Sequence, residues 1–305
     1  MQLVDTHCHI HEILGADNGT GDLVPEKWHK AGVHDADLVI ANATKAEVTK
    51  LICVGCTLQD SRLAVEFVQN RPNCWTSIGI HPHEAKEHLT PADKKAFADL
   101  LSSHETLSGG GSPWGTPGAR SEVSTQGEGW ADRTPREHPK IVAIGECGLD
   151  YYYEHSPKEE QIELLHFQLA LAEKHNLPVI FHVRDAFDDF WPIYDTYRVR
   201  GVIHSFSATS KELDQILKRN LLVGLNGIMT FTKNADQLAA AKAIPLDKLL
   251  LETDAPFLTP HPYRGTICEP RHIRVTAEFL ANLRGESLAD VAEQTTKNAH
   301  KLFGV

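Results

Sequence analysis

Two histidines near the start of the chain are spaced to bind one metal ion together. They lie in the run VDTHCH at positions 4–9, which has the apolar character of a buried strand. Successive side chains of a strand alternate between its two faces, so His7 and His9 point to one side and Cys8 to the other. We therefore expect a chelating pair of imidazoles.

Four more residues of metal-binding type end apolar runs of their own: Glu146, His182, His204 and Asp254. A single buried histidine or aspartate is more often a hydrogen-bonded core residue than a ligand. Six such residues, each at the end of a strand-like run, favour the metal site instead. A set of nitrogen and oxygen donors suits Zn²⁺, Mn²⁺ or another divalent ion, and the four imidazoles make Mg²⁺ a less direct match.

Six ligands are more than one tetrahedral ion accepts. Two ions roughly 3.5–4 Å apart, bridged by one carboxylate, would use all six and leave positions for water and substrate. Glu146 is the expected bridge, because glycines flank it at positions 145 and 148 and permit close approach.

Eight short apolar runs divide the chain, each followed by polar residues and then by a stretch with helical periodicity. The runs cover residues 3–10, 51–56, 75–80, 141–146, 178–183, 201–206, 221–225 and 249–252. Such strands alternating with helices indicate a parallel sheet, and eight units predict an α/β fold of the (β/α)8 TIM-barrel type, a single domain over residues 1–305. Active sites of barrels lie at the carboxyl ends of the strands, where all six candidates fall.

Cap residues predict where several helices begin. Expected helices run over 91–102 after Thr90, over 157–176 after Ser156, and from Ser210 to Asn220, and two more over 269–303 are separated at Gly285. Residues 103–139 are rich in Gly, Ser, Thr and Pro and predict an irregular insertion on the face away from the ligands. Residues 12–33 form a second interruption, on the ligand face, which we interpret as a lid or packing loop. A substrate contact through His11, Trp28 or His29 is the alternative.

The formal net charge is −11, from 30 Lys and Arg against 41 Asp and Glu. This balance argues against a protein coated in phosphate-binding basic surface. It leaves a nucleic-acid substrate open, since bound divalent ions add positive charge where the phosphate sits. Six scattered cysteines in apolar surroundings, with no leader or membrane-spanning run, predict a cytoplasmic or nuclear protein without membrane contact. We interpret the CxxC at positions 53–56 as small core residues, and no obligate protein partner is expected.

Seven motifs occur in an order that is similar to one family. They are DTHCH at 5–9, GIHPH at 79–83, GECGLD at 145–150, HVRDA at 182–186, HSFS at 204–207, ETDAP at 252–256 and NAHKLFG at 298–304. Together they resemble the signature of TatD-related metal-dependent deoxyribonucleases. The resemblance implies a Mg²⁺-type divalent cofactor and a phosphodiesterase that removes nucleotides from single-stranded or frayed DNA ends. Cys268 departs from the pattern, which usually has asparagine there.

The expected roles divide the six ligands between two ions. His7, His9 and Asp254 would hold one, His182 and His204 the other, with Glu146 between them. Asp254 would also orient or deprotonate the attacking water. His81 is expected to grip the phosphate or protonate the leaving oxygen.

Three further residues are candidate substrate contacts. Arg184 lies two positions after His182 and either binds phosphate or forms a salt bridge with a nearby carboxylate. Arg264 and Tyr263 lie in the loop after the eighth strand, where barrels often bind phosphate, and the tyrosine is able to stack on a base.

Two alternatives remain open at this stage. The same metal pair could hydrolyse a small ester, lactone or amide, as in the wider amidohydrolase superfamily, and a closed apolar pocket would favour that function. An inert barrel would be expected to lack a ligand, and none is missing here.

Overall fold

Eight parallel strands lie side by side in the order of the sequence. The computed structural model describes residues 1–15, 23–107 and 140–305. The strands are β1 (Leu3–Cys8), β2 (Val48–Val54), β3 (Cys74–Ile78), β4 (Ile141–Asp150), β5 (Val179–Arg184), β6 (Gly201–Ile203), β7 (Leu222–Leu225) and β8 (Leu249–Leu251). Cys8 bridges to Ala255 just beyond β8, and the His9 N–H donates to the Ala255 carbonyl at 2.8 Å. The sheet thereby curls back on itself, and the predicted TIM-type barrel is confirmed.

Helices follow the strands and cover the outside of the barrel. They are α1 (Leu23–Lys30), α2 (Ala36–Lys45), α3 (Leu58–Gln69), α4 (Pro91–Leu107), α5 (Lys158–Lys174), α6 (Phe187–Tyr194), α7 (Ser210–Lys218), α8 (Ala235–Ala243), α9 (Ile273–Arg284) and α10 (Leu288–Phe303). Short 3₁₀ turns at Ile10–Leu14 and Pro82–Glu87 follow β1 and β3.

Two of the predicted helix starts were wrong in detail. Thr209, and not Ser210, caps α7, because its side chain and that of Glu212 form a reciprocal capping box. Ser156 does not cap α5, whose cap position is Pro157. The Ser156 hydroxyl instead donates to the His83 carbonyl at 2.6 Å. The break at Gly285 is confirmed by its left-handed φ of 72°, a conformation that glycine adopts without strain.

The core has two parts, one inside the barrel and one between the barrel and its helices. Inside, alternate strand residues pack against the end of α10; they are Val4, Ile52, Val54, Val142, Ile180, Val202, Leu250, Leu302 and Phe303. Outside, the other strand face packs on the helices. Apolar side chains therefore fill the amino-terminal end of the barrel, and polar residues are concentrated at its carboxyl end.

A bulge in β1 directs the first two candidate ligands inward. The three steps from Asp5 to Cys8 lie opposite only two steps of β2. Leu3 and Cys8 both belong to the outer core although they are an odd number of positions apart. The extra residue therefore reverses the alternation, and His7 and His9 face the barrel axis while Cys8 packs outside, as predicted.

The segment after β1 packs against the barrel wall. Trp28 is fully buried, and its indole N–H donates to the His9 carbonyl at 3.2 Å. Helix α4 continues five residues beyond its predicted end at Ser102, to Leu107. The rest of the predicted insertion, residues 108–139, lies outside the described residues, as do residues 16–22. None of the described helices has the length and apolar character needed to cross a bilayer.

Candidate metal centre

The structure brings all six predicted ligands to the carboxyl end of the barrel, around the carboxylate of Glu146. His182 Nδ1 lies 2.7 Å and His204 Nε2 lies 3.0 Å from Glu146 Oε1. On the other oxygen, Oε2, His7 Nε2 is 3.3 Å away. Glu146 therefore contacts imidazoles from both predicted halves of the site, as a bridging carboxylate must.

Asp254 completes the side of the centre that carries the first two histidines. Its Oδ1 atom lies 3.4 Å from His9 Nε2 and 3.6 Å from His7 Nε2. The backbone N–H of Asp254 donates to the His7 carbonyl at 2.8 Å, which joins the end of β1 to the segment after β8. These three residues thus form one face of the cluster.

The backbone of β4 is shaped so that Glu146 reaches this position. Gly145 has a φ of +138°, and a Cβ atom there would lie 2.5 Å from the carbonyl oxygen of Ile180 on the neighbouring strand. Three steps from Ile144 to Cys147 lie opposite two steps of β5, a second bulge at the level of the site. Only glycine permits this close approach beside the carboxylate.

The donor set fits a divalent metal. Three groupings, each with ligand atoms within 4.8 Å of one another, occur here: His7, His9 and Glu146; His7, His204 and Glu252; and His81, Glu146 and His182. Neither ring nitrogen of the fully buried His7 has a hydrogen-bond partner among the described residues. Buried polar atoms are rarely left in this state, and a cation bound at Nε2, the nitrogen beside Glu146 and Asp254, would satisfy that atom.

The protonation states of Glu146 and His7 suit metal binding. Burial opposes the charge on Glu146, but the electrostatic attraction of His204 and His81 and the hydrogen bond from His182 outweigh it and hold its pKa well below the ordinary value. Burial, together with the neighbouring charge of His204, lowers the pKa of His7. An ionised carboxylate beside a neutral imidazole is the form in which these groups bind metal.

Two carboxylates behind the histidines were not predicted as site residues. Asp150 Oδ2 lies 2.9 Å from His182 Nε2, and Glu252 Oε1 lies 3.2 Å from His204 Nδ1. Asp150 forms a hydrogen bond with the ring nitrogen of His182 that faces away from Glu146 and so fixes the orientation of that histidine, whereas Glu252 lies beside the corresponding nitrogen of His204. Both occur within the sequence motifs at the ends of β4 and β8, which was the available signal. Cys56 was also missed, and its Sγ lies 3.9 Å from Glu146 Oε2.

His81 lies at the edge of the same cluster. Its Nε2 is 3.5 Å from Glu146 Oε1, and its ring packs edge-on against His182 with centroids 4.5 Å apart. Burial and the charge of His182 lower the pKa of His81 to about 4, so the imidazole is neutral near pH 7. The His81 imidazole is therefore close enough to contact a molecule bound at the metal centre.

The three predicted substrate contacts lie outside the cluster of ligands. Arg184 forms no ion pair with any described residue, and its guanidinium lies over the rings of Tyr152 and Tyr153. Arg264 lies over Phe231, and its Nη1 donates to a backbone carbonyl. Tyr263 is 47% exposed. Cys268 is fully buried, so its departure from the motif pattern does not alter the exposed surface.

Comparison with known proteins identifies the family. A family model described as TatD related DNase matches residues 4–304. The chain belongs to this family. A Bacillus subtilis relative called uncharacterized metal-dependent hydrolase YabD is 32% identical over 308 residues, covering 99% of both chains.

Further comparisons extend this result to activity names and to fold. The TatD protein of Citrobacter rodentium, named a 3'-5' ssDNA/RNA exonuclease, is 30% identical over 285 residues, covering 90% of this chain and 93% of its own. The solved structure of the TatD homologue YJJV from Escherichia coli superposes with a TM-score of 0.77 at 23% identity, covering 99% and 98% of the two chains. The predicted family and enzyme class are confirmed: this TatD-related protein is a metal-dependent hydrolase.

Proposed function

We propose that this TatD-related protein is a nuclease that uses two divalent ions to hydrolyse phosphodiester bonds at the ends of single-stranded nucleic acid. The observation that carries the proposal is the position of Glu146 between the His7 and His204 sides of the cluster. The exonuclease name of the Citrobacter relative supports the choice of substrate.

The six ligands are assigned as two sets that share one carboxylate. His7, His9 and Asp254 would hold one ion, and His182 and His204 the other, with Glu146 in contact with both. Bound there, two divalent ions would neutralise the phosphate oxygens and lower the pKa of a water molecule toward ~7.

The protein's own groups orient the reaction. Asp254 Oδ1, already 3.4 Å from His9 Nε2, would accept a hydrogen bond from the attacking water and receive its proton. His81 would contact a phosphate oxygen through Nε2. At neutral pH this histidine is a hydrogen-bond partner and not a cationic acid, because burial lowers its pKa to about 4. Asp150 and Glu252 would keep the two histidines of the second set in place.

Contacts with the rest of the substrate are assigned to exposed residues at the mouth of the barrel. Arg184 is free to pair with a phosphate because no described carboxylate neutralises it. Arg264 and Tyr263, in the loop after β8, would contact a more distant part of the strand. The Arg264 guanidinium already donates one hydrogen bond to the Thr259 carbonyl at 3.1 Å, which leaves its other N–H groups for an anion.

The test is metal-dependent cleavage of end-labelled DNA. Metal-stripped protein would be incubated with single- and double-stranded substrates, and Mg²⁺, Mn²⁺ or Zn²⁺ would be added back separately. We expect stepwise loss of nucleotides from single strands, abolished in Glu146→Gln and retained in Glu66→Gln, a control on the exposed surface of α3. Equal activity of the Glu146 variant, or hydrolysis of small esters, lactones or amides with no cleavage of DNA, would refute the proposal.

The ligand assignment has a separate test. Crystals soaked in Mn²⁺ should show two anomalous peaks, one beside His7 and one beside His182, with Glu146 in contact with both. A single peak would remove the two-ion assignment but not the metal dependence. We further infer that the protein works in the cytoplasm or nucleus. The six free cysteines support this, since such thiols persist in reducing compartments.

A further inference from the structure

A groove opens beside the metal centre, between the loops that follow β4, β5 and β6. Its volume is about 670 Å³, within the range of ~300–1,000 Å³ that is typical of ligand pockets. Val183 and Ile203 line it, and each is the sequence neighbour of a proposed ligand, His182 and His204 respectively. Neighbouring strand residues face opposite sides, so Val183 and Ile203 lie on the outer face of the strands. The link to the metal centre is Tyr153, next to the groove, whose ring packs edge-on against His83 with centroids 5.5 Å apart; the His83 ring centroid lies 6.2 Å from that of His182.

On one side of the groove, exposed aromatic rings lie beneath a cation: Tyr152 lines the groove and Tyr153 lies next to it. Tyr152 is 58% exposed and Tyr153 is 50% exposed, which is unusual for side chains of this size. The Arg184 guanidinium carbon lies 4.2 Å from the Tyr152 ring centroid and 4.7 Å from that of Tyr153. Such a layer offers flat surfaces on which a base of any type can stack.

Three cations and four carboxylates line the groove, and two of the carboxylates, Asp189 and Glu212, are already engaged. Arg184 and Lys158 form no ion pair within the described part of the chain, and Lys158 lies 4.0 Å from the Tyr151 ring centroid. By contrast, Asp189 accepts a hydrogen bond from the Tyr151 hydroxyl at 2.9 Å.

On the opposite side, the charges lie at the start of α7. Glu212 is held by Thr209 in the capping box, where it accepts the Thr209 N–H at 3.1 Å. Lys211, on the same turn, lies 3.9 Å from that carboxylate, too far for a strong hydrogen bond, and lines the groove. Cationic side chains thus face the groove from both sides.

We propose that this groove binds the nucleotide next to the scissile phosphate, with its base stacked on Tyr152 and its phosphate between Arg184 and Lys211. The inference rests on the proposed nuclease function and adds the position of the second nucleotide. A base can reach this side of the barrel only when it is splayed from its partner strand, so the groove selects single strands over duplexes. It also predicts that affinity rises with the length of the strand.

The test separates binding from cleavage. Fluorescence anisotropy would measure binding of labelled phosphorothioate oligothymidylates, which are cleaved slowly, to the metal-loaded full chain. A mononucleotide, a dinucleotide and a tetranucleotide would be compared. We expect affinity to rise from the mononucleotide to the dinucleotide in the wild type. That gain in affinity should shrink by roughly 5–150-fold in Tyr152→Ala, which corresponds to the loss of one stacked base, and it should be restored in Tyr152→Phe.

Lys211→Ala should weaken binding of the dinucleotide and reduce its dependence on salt, whereas Lys218→Ala, at the other end of the same helix, should change neither. If Tyr152→Ala and Lys211→Ala both bind every length as the wild type does, the groove is not the nucleotide site, even if DNA is cleaved. If the length dependence is lost in these variants but no phosphodiester is cleaved, the groove assignment holds and the nuclease function fails. No gain from mononucleotide to dinucleotide in the wild type would overturn the groove assignment.

Discussion

A substitution at Gln168 tests how helix α5 supports the metal centre from outside the barrel. Its side chain is fully buried on α5. Its Oε1 accepts the Ile80 N–H at 2.8 Å, and its Nε2 donates to the Ile80 carbonyl at 2.9 Å. Ile80 immediately precedes His81, so one amide holds both backbone groups of the residue that leads into the site.

Gln168→Leu keeps the approximate size of the side chain and removes both hydrogen bonds. Each buried backbone group left without a partner costs ~1–3 kcal/mol, so the free energy of unfolding should fall by about 2–6 kcal/mol. The matched control is Gln215→Leu on α7, where the amide accepts from the partly exposed Arg219. That change should cost no more than ~1 kcal/mol, because water and Asp195 remain available to the arginine.

Urea denaturation followed by circular dichroism measures both variants, and nucleotide release measures activity. Because Gln168 positions the residue before His81 and does not touch the ligands, kcat should fall while the affinity for Mn²⁺ stays near that of the wild type. A loss below ~1 kcal/mol for Gln168→Leu, equal to that of the control, would show that the Ile80 backbone finds other partners and that the reasoning is wrong.

Three further changes test separate parts of the structure. Thr209→Ala should lower the free energy of unfolding by ~1 kcal/mol through loss of the α7 cap, and Ser210→Ala should change it by less than ~0.5 kcal/mol; equal effects in urea denaturation would restore Ser210 as the cap. Burial lowers the pKa of His272 from 6.5 to about 4, so the unfolded chain binds a proton there that the folded chain does not, and stability should fall as the pH drops from about 6.5 toward 4. His272→Asn should flatten this part of the profile of urea midpoint against pH, and an unchanged slope would contradict the assignment. Asp150→Asn should weaken metal binding by ~10–100-fold in calorimetric titration, because His182 loses the carboxylate that orients it, and unaltered affinity would exclude that role.

The barrel and the convergence of ligands were predictable because both follow from local pattern and one topological rule. Continuous apolar runs separated by helical stretches define parallel strands, and carboxyl ends of parallel strands meet at one face. Once eight strands were assigned, His182 and His204 had to lie near Glu146. No long-range detail was needed for that conclusion.

The partners of individual side chains were not predictable in the same way. Asp150 contacts His182 because β4 and β5 pair in a register shifted by a bulge, and single-sequence patterns do not report bulges. Arg184 stacks on tyrosines from another loop and forms no salt bridge with a described carboxylate, although a salt bridge was one of the two roles considered for it. The cap of α7 is Thr209 because Glu212, three residues later, reciprocates; this spacing is a capping-box signature that was present in the sequence and was overlooked in favour of Ser210.

The apolar filling of the barrel has a consequence for how a polymer is handled. Val4, Val142 and Leu302 belong to the packed cluster that fills the amino-terminal end of the barrel. A nucleic-acid strand bound at the carboxyl end of the barrel therefore cannot pass through the barrel to its amino-terminal end. If the proposed nuclease function holds, the shortened strand and the released nucleotide would leave by the same opening through which substrate enters. Successive cuts of one substrate strand would then require that strand either to dissociate or to stay bound through its next nucleotide while the product leaves.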